Sequence, residues 1–229
     1  MKVMVFAPHP DDEVIGCGGT IAAHVRAGDK VVIAYLTSGE AGSLAILPNE
    51  LRTIREGEAR QGAEIIGVKD LIFLRFPDGY LDFSPERIRT LVKIIRDKKP
   101  DVIYLPHSQE TPRDHRVSHD LVLEAVRRAS GNWFQDCGTE PCAVKQVLAY
   151  EVWTPIVSPT YYNDITAWID LKTAALRCHT SQVSAVAYDE AVRGLNRYRG
   201  ILSGMGDYCE AFHVITGSPS AKEGSDFFC

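Results

Sequence analysis

Residues 2–20 read Lys2-Val3-Met4-Val5-Phe6-Ala7-Pro8-His9-Pro10-Asp11-Asp12-Glu13-Val14-Ile15-Gly16-Cys17-Gly18-Gly19-Thr20. After Lys2 the run to position 7 is apolar without alternation, which suits a strand buried on both faces. A polar cluster, His9, Asp11, Asp12 and Glu13, follows directly. The same grammar recurs along the chain, with apolar runs at 30–36, 71–76 and 102–105 separated by helical patterns. Residues 20–27 lead to Gly28 and 50–66 to Gly67, glycines suited to a helix C-terminus. Ser84-Pro85 supplies an N-cap and a first-turn proline, after which Ile88, Leu91, Val92 and Ile95 repeat at helical spacing. A further helix is expected from about 114 to 130. This alternation predicts an α/β fold: a Rossmann-like, mostly parallel sheet with right-handed crossovers and helices on both faces. Additional C-terminal strands are expected at 146–153, at 162–169 (strand or extended segment) and at 208–215, with a helix at 189–202. No repeat or linker divides the chain, so 1–229 is expected to be one domain, with the Ser- and Gly-rich 217–229 as a mobile tail.

Composition narrows the class. The 229 residues are 45% apolar and 24% charged, a soluble globular profile. Twenty-five basic against thirty acidic side chains give a net charge of −5, which argues against a nucleic-acid partner held through phosphates. No apolar run approaches the roughly 20 residues of a membrane helix. Residues 1–8 are too short for a signal-peptide core, so a cytoplasmic protein with no membrane span is expected. The scattered cysteines 17, 137, 142, 178, 209 and 229 read as free thiols. Cys137 and Cys142 are the best candidates for a pair, but a C-x4-C spacing with no second half argues against zinc there. Trp153, Tyr161, Tyr162 and Trp168 read as core and loop anchors rather than a ligand platform.

In a parallel sheet, binding groups gather at the carboxyl ends of the strands, where residues 9–13 stand. Two adjacent carboxylates beside an imidazole are costly to crowd together, and a divalent cation offsets both repulsion and lost hydration. His with Asp suits zinc, with iron or manganese compatible. An acidic helix cap is the competing reading, and the five residues alone do not choose. Gly16-Cys17-Gly18-Gly19 invites a dinucleotide loop, but G-x-G-x-x-G requires glycine where Ile21 stands. The run reads instead as clearance for the turn and helix. Beyond the strand at 102–105, Asp114-His115 falls where a helix begins at the mouth of the same sheet. His115 and His119 are four apart, which is ligand spacing. His119 also lines up with Val122 and Val126, so it reads as a core or rim histidine and His115 as the better ligand.

The opening motif, Ala7-Pro8-His9-Pro10-Asp11-Asp12-Glu13 and then Gly16-x-Gly18-Gly19-Thr20, resembles that of the LmbE-like (PIG-L) zinc-dependent N-acetylglucosaminyl deacetylases. Further matches follow in order: Leu36-Thr37-Ser38-Gly39-Glu40, Arg55-Glu56-x-Glu58-Ala59, Phe76-Pro77-Asp78-Gly79-x-Leu81, Asp114-His115-Arg116, His179-x-Ser181-Gln182 and Glu210-Ala211-Phe212. The resemblance spans residues 3 to about 215. It implies a Rossmann-like fold, a catalytic metal (Zn2+, or another divalent ion such as Fe2+) and removal of an N-acetyl group from an N-acetylglucosamine-type conjugate by a zinc-bound water. It places His9, Asp12 and His115 as metal ligands, Asp11 as general base, and Arg55, Asp78 and Glu40 as substrate-binding residues. Apart from the family, Arg55 reads as a surface ion pair and Asp78 as part of a turn.

One departure stands out. The family often reads His-x-Asp-His at the second motif, the first histidine helping the oxyanion or the leaving amine. Here the residues are Pro112-Arg113-Asp114-His115, so that histidine is missing while Asp114, expected to orient it in a catalytic role, remains. His107, His119 and His213 are the candidate substitutes, whereas Arg113 delivers no proton near neutral pH. The expected partner is a small N-acetylated amino sugar conjugate, with a homo-oligomer compatible with the resemblance. The alternative is a metal- and carbohydrate-binding member whose catalysis is altered or lost through Pro112.

Overall fold

The computed structural model describes residues 1–138 and 140–218. Cys229 and most of the expected tail, 219–229, lie outside the described residues. Seven strands form one sheet: β1 (Lys2–Ala7), β2 (Lys30–Tyr35), β3 (Asp70–Phe73), β4 (Val102–Pro106), β5 (Gln146–Tyr150), β6 (Tyr161–Asp164) and β7 (Cys209–Thr216), in the order β3-β2-β1-β4-β5-β7-β6. The first five run parallel, and β7 is antiparallel to both β5 and β6. The helices are α1 (Asp12–Arg26), α2 (Pro48–Ile66), α3 (Pro85–Lys98), α4 (Arg113–Ala129), α5 (Ile169–Arg177), α6 (Thr180–Val183) and α7 (Tyr188–Ser203). Among the described residues, no helix is long and apolar enough to cross a membrane.

β1 shows why its uniform apolar run works. Val3, Val5 and Ala7 enter a core that includes Ile21, Ala59, Ala63 and Leu176, drawn from α1, α2 and α5. Met4 and Phe6 enter the opposite core, with Leu91, Ile95, Leu121 and Val122 of α3 and α4. Successive side chains point to opposite faces, so a strand covered on both sides must be apolar throughout. The strand order reverses between β1 and β4, making the carboxyl ends of these two neighbours a topological switch point.

α1 starts eight residues earlier than its expected position at 20. It is two segments joined at Cys17, whose φ of −144° is not helical. The second segment begins where the sequence pattern predicts, and its free N–H groups at Gly19 and Thr20 are capped by the Glu210 carboxylate of β7, at 2.9 and 2.7 Å. The glycine run serves close packing. A Cβ on Gly16 would stand 2.1 Å from the Tyr150 ring, and one on Gly19 would stand 2.7 Å from Ile165. The expected extended segment at 162–169 divides into β6 and the first residue of α5. Cys17, Cys137, Cys142, Cys178 and Cys209 are free thiols.

Candidate metal centre

β1 ends at Ala7, and Pro8-His9-Pro10 leads into a sharp turn at Asp11, whose φ of 114° lies where non-glycine residues are strained. The Asp11 carbonyl accepts the N–H groups of Val14 and Ile15 and so starts α1. The strained turn sets His9, Asp11 and Asp12 together at the switch point. From the other side, α4 begins at Arg113 and delivers Asp114 and His115.

Three donor atoms converge. His9 Nδ1 lies 3.1 Å from Asp12 Oδ2, His115 Nε2 lies 3.3 Å from that oxygen, and the two ring nitrogens are 3.3 Å apart. Ligands about 2.0–2.1 Å from a tetrahedral zinc stand about 3.3–3.4 Å from one another. The triangle therefore has the dimensions of one face of such a coordination shell, leaving a fourth position outside it. His115 is fully buried and Asp12 nearly so. Burial works against charge on His115, but the Asp12 carboxylate and Glu110 push its pKa up to about 9. For His9, hydrogen bonds to Asp114, Asp12 and Asp78 likewise overcome burial and raise it well above the ordinary value. Asp12 is driven far below the carboxylate range because the charge of His115 outweighs its own burial. A donor set that gathers protons when bare is one that a cation can occupy in their place.

The outer nitrogens of both imidazoles also meet carboxylates. His9 Nε2 lies 3.0 Å from Asp78 Oδ1 and 3.6 Å from Asp114 Oδ2. This gives a second donor group, His9, Asp78 and Asp114, but its carboxylates are already engaged. Asp78 accepts the Ala41 N–H at 2.7 Å, and Asp114 accepts those of Gly79 and Leu81 at 2.7 and 3.3 Å. The arrangement is that of outer carboxylates fixing the tautomer of a ligating histidine. On the other side, His115 Nδ1 faces Glu110 Oε2 at 3.5 Å, an electrostatic contact rather than a hydrogen bond. Glu110, buried but hydrogen-bonded by His107 and by the Val152 N–H, stays ionised with a pKa of about 2. Sequence reasoning gave Glu110 no role. Its only signal is a carboxylate standing between two histidines in the loop after β4.

Asp11 is not one of the three converging donors; its carboxylate meets Arg55 beside them. Burial, opposed by the Arg55 charge, raises its carboxyl to about 7. Arg55 is itself buried; its Nη2 donates to Pro10 O at 2.6 Å and Asp11 Oδ2 at 3.2 Å, and its Nη1 to Gly39 O at 3.2 Å. Thus Arg55 is an interior brace of the Asp11 turn, not a surface ion pair. Glu40 accepts the Asp78 N–H at 3.3 Å and lies 3.5 Å from Arg52. Glu40 Oε2, Arg52 Nε and Arg55 Nε are buried without partners on this side of the site.

All eight residues singled out from the sequence thus lie around the end of β1. The candidate replacements for the missing histidine do not join the triangle. His107 Nε2 contacts Thr154 O at 2.7 Å, and His119 Nδ1 donates to Pro106 O at 2.8 Å. Together with His213 they line a separate cleft of about 460 Å³. Pro112 itself precedes the first turn of α4 in an extended conformation.

The family model described as GlcNAc-PI de-N-acetylase (PIG-L) matches residues 4–126. The chain belongs to the PIG-L family. This PIG-L member is 32% identical over 228 residues to the diacetylchitobiose deacetylase of Thermococcus kodakarensis, covering 94% of this chain and 84% of that one. The structure of N,N'-diacetylchitobiose deacetylase from Pyrococcus horikoshii matches with a TM-score of 0.85 at 31% identity, covering 94% of this chain and 84% of that one. A hydratase from Pseudomonas putida, acting on 4-carboxy-2-hydroxymuconate, shares the fold with a TM-score of 0.83 at 23% identity, covering 98% and 99% of the two chains. The fold by itself therefore does not select the reaction, and the site must do so.

Proposed function

We propose that this PIG-L member is a metal-dependent N-deacetylase acting on an N-acetylglucosamine-type conjugate. The observation that carries this reading is the triangle of His9 Nδ1, Asp12 Oδ2 and His115 Nε2, with edges of 3.1–3.3 Å beside a strained Asp11. The 32% identity to a deacetylase over nearly the whole chain supports the substrate class. A divalent cation held by these three residues, zinc or iron(II), supplies Lewis acidity that lowers the pKa of water to about 7 and polarises an amide carbonyl.

The chain's own groups do the rest. Asp78 and Asp114 hold the His9 ring from behind, and Glu110 does so for His115. Asp11, oriented by Arg55 beside the three ligands, accepts the proton of the attacking water. With proline at 112, the same carboxyl returns that proton to the leaving amine, giving acetate and the free amino sugar. Glu40, Arg55 and Asp78, gathered beside His9 and Asp11, are the residues assigned to the sugar. We further propose that 1–229 acts as one domain and that the reaction is cytoplasmic.

The test is acetate release from N,N'-diacetylchitobiose by protein loaded with zinc or iron(II), compared with chelated protein and with His115→Ala. Release by loaded protein alone supports the reading. Stoichiometric binding of metal and sugar with no acetate favours instead a binding member whose catalysis was lost with the histidine at 112.

A further inference from the structure

Four aromatic residues gather in the C-terminal region, and three of them behave as anchors. Tyr161, Tyr162 and Trp168 are partly buried, with Tyr161 and Trp168 packed on the core. Trp153 differs, leaving 44% of its surface to solvent. It stands just past the carboxyl end of β5, beside the mouth formed by β1 and β4. Its backbone is fixed there, because the Glu110 carboxylate accepts the N–H groups of Val152, Trp153 and Thr154 at 2.7, 3.1 and 3.4 Å. The same Glu110 oxygen that takes the Trp153 N–H lies 3.5 Å from His115 Nδ1, so the indole keeps a set position relative to the metal triangle.

The ring is held as well as the backbone. Tyr188, the first residue of α7, meets the indole edge-to-face, with centroids 5.0 Å apart and planes at 81°. Tyr188 packs its body on the core and so braces the indole from the side of α7. Thr154, next in the chain, pairs its hydroxyl with that of Thr111 at 2.8 Å. A flat apolar face held in one orientation next to hydroxyls is complementary to a pyranose, which carries C–H groups on its faces and hydroxyls on its edge. Holding the indole beforehand also removes the entropy cost of ordering it on binding.

We propose that Trp153, positioned by Tyr188, is a stacking platform for a second sugar ring, making the preferred substrate an acetamido sugar linked to another pyranose rather than the monosaccharide. This rests on the deacetylase reading above and assigns its specificity. The test compares kcat/KM for N-acetylglucosamine and N,N'-diacetylchitobiose in metal-loaded parent, Trp153→Ala and Trp153→Phe. Trp153→Ala should lower the disaccharide value about tenfold and leave the monosaccharide within about twofold, with Trp153→Phe recovering part of the loss. Equal losses on both substrates, or none on either, overturn the platform. Fluorescence titration of Asp11→Asn with the disaccharide, with and without Trp153→Ala, separates the two claims. Trp153-dependent binding, with no acetate released by the metal-loaded parent, upholds the platform and refutes the deacetylase. Acetate release with a substrate ratio independent of residue 153 does the reverse, and absence of both binding and release refutes both.

Discussion

Replacing Glu210 by glutamine should cost this fold a large part of its stability. Glu210 and Lys172 are both fully buried, with Lys172 Nζ 2.6 Å from Oε1. Oε1 also accepts the Gly19 N–H at 2.9 Å, while Oε2 accepts the Thr20 N–H at 2.7 Å and the Thr20 hydroxyl at 2.6 Å. Every partner of the carboxylate is a donor. A glutamine in the same pose must therefore set its own NH2 against a backbone N–H, whichever way the amide is turned, and it leaves the Lys172 charge uncompensated. Removing one partner of a buried pair costs about 3–5 kcal/mol, against a total stability of about 5–15 kcal/mol. For a chain of this size that is a fall in Tm of about 6–20 °C. Urea denaturation and thermal melting of parent, Glu210→Gln, Lys172→Met and the double variant measure it. The double variant should be more stable than the sum of the single losses allows, by about 1–3 kcal/mol. A Glu210→Gln protein within about 1 kcal/mol of parent, or strictly additive losses, would refute the idea that this pair caps the kinked α1.

Three further outcomes test other parts of the structure. Gly16→Ala places a methyl 2.1 Å from the Tyr150 ring and should destabilise by about 1–3 kcal/mol; a neutral effect in denaturation would show that α1 and β5 are not so closely packed. Because His115 is pushed up to about 9 and His9 is also raised, metal binding near pH 7 should release about two protons. Calorimetry in buffers of different ionisation enthalpy reads this number, and no release would contradict the assigned ligand set. His179 is fully buried with neither ring nitrogen partnered, and burial lowers its pKa from 6.5 to about 3. Its contribution is present above pH 6.5 and lost as pH falls towards 3, because the unfolded chain takes the proton first. Stability of the parent should therefore fall more steeply than that of His179→Leu across this window, by about 1.4 kcal/mol per pH unit; identical slopes would remove His179 from the acid response.

How far the sequence reveals this molecule differs by residue. The central strands were legible because each is short, apolar and followed by polar groups, and β1 needs no alternation when both faces are covered. The first turns of α1 were not, since Cys17 breaks the helix and a side chain 190 residues away, Glu210, caps its continuation at Thr20. α5 was hidden by Lys172, a charged residue on a buried face that makes sense only once Glu210 is beside it. At the site, His9 and Asp12 are neighbours in sequence, and His115 follows from its place at the next strand mouth. What no spacing conveys is which ring nitrogen faces which carboxylate. That choice turns Asp78 and Asp114 towards His9, sets Glu110 behind His115, and makes Arg55 an interior brace.

One carboxyl working beside a metal triangle carries the proposed chemistry, and one measurement tests it most directly: acetate released per minute from N,N'-diacetylchitobiose by parent and by Asp11→Asn at equal bound metal. Asparagine keeps the shape of the turn but takes up no proton, so the variant should bind metal as the parent does and lose at least about 100-fold in rate. Equal rates at equal metal content would contradict the role given to Asp11 and the proposed mechanism with it.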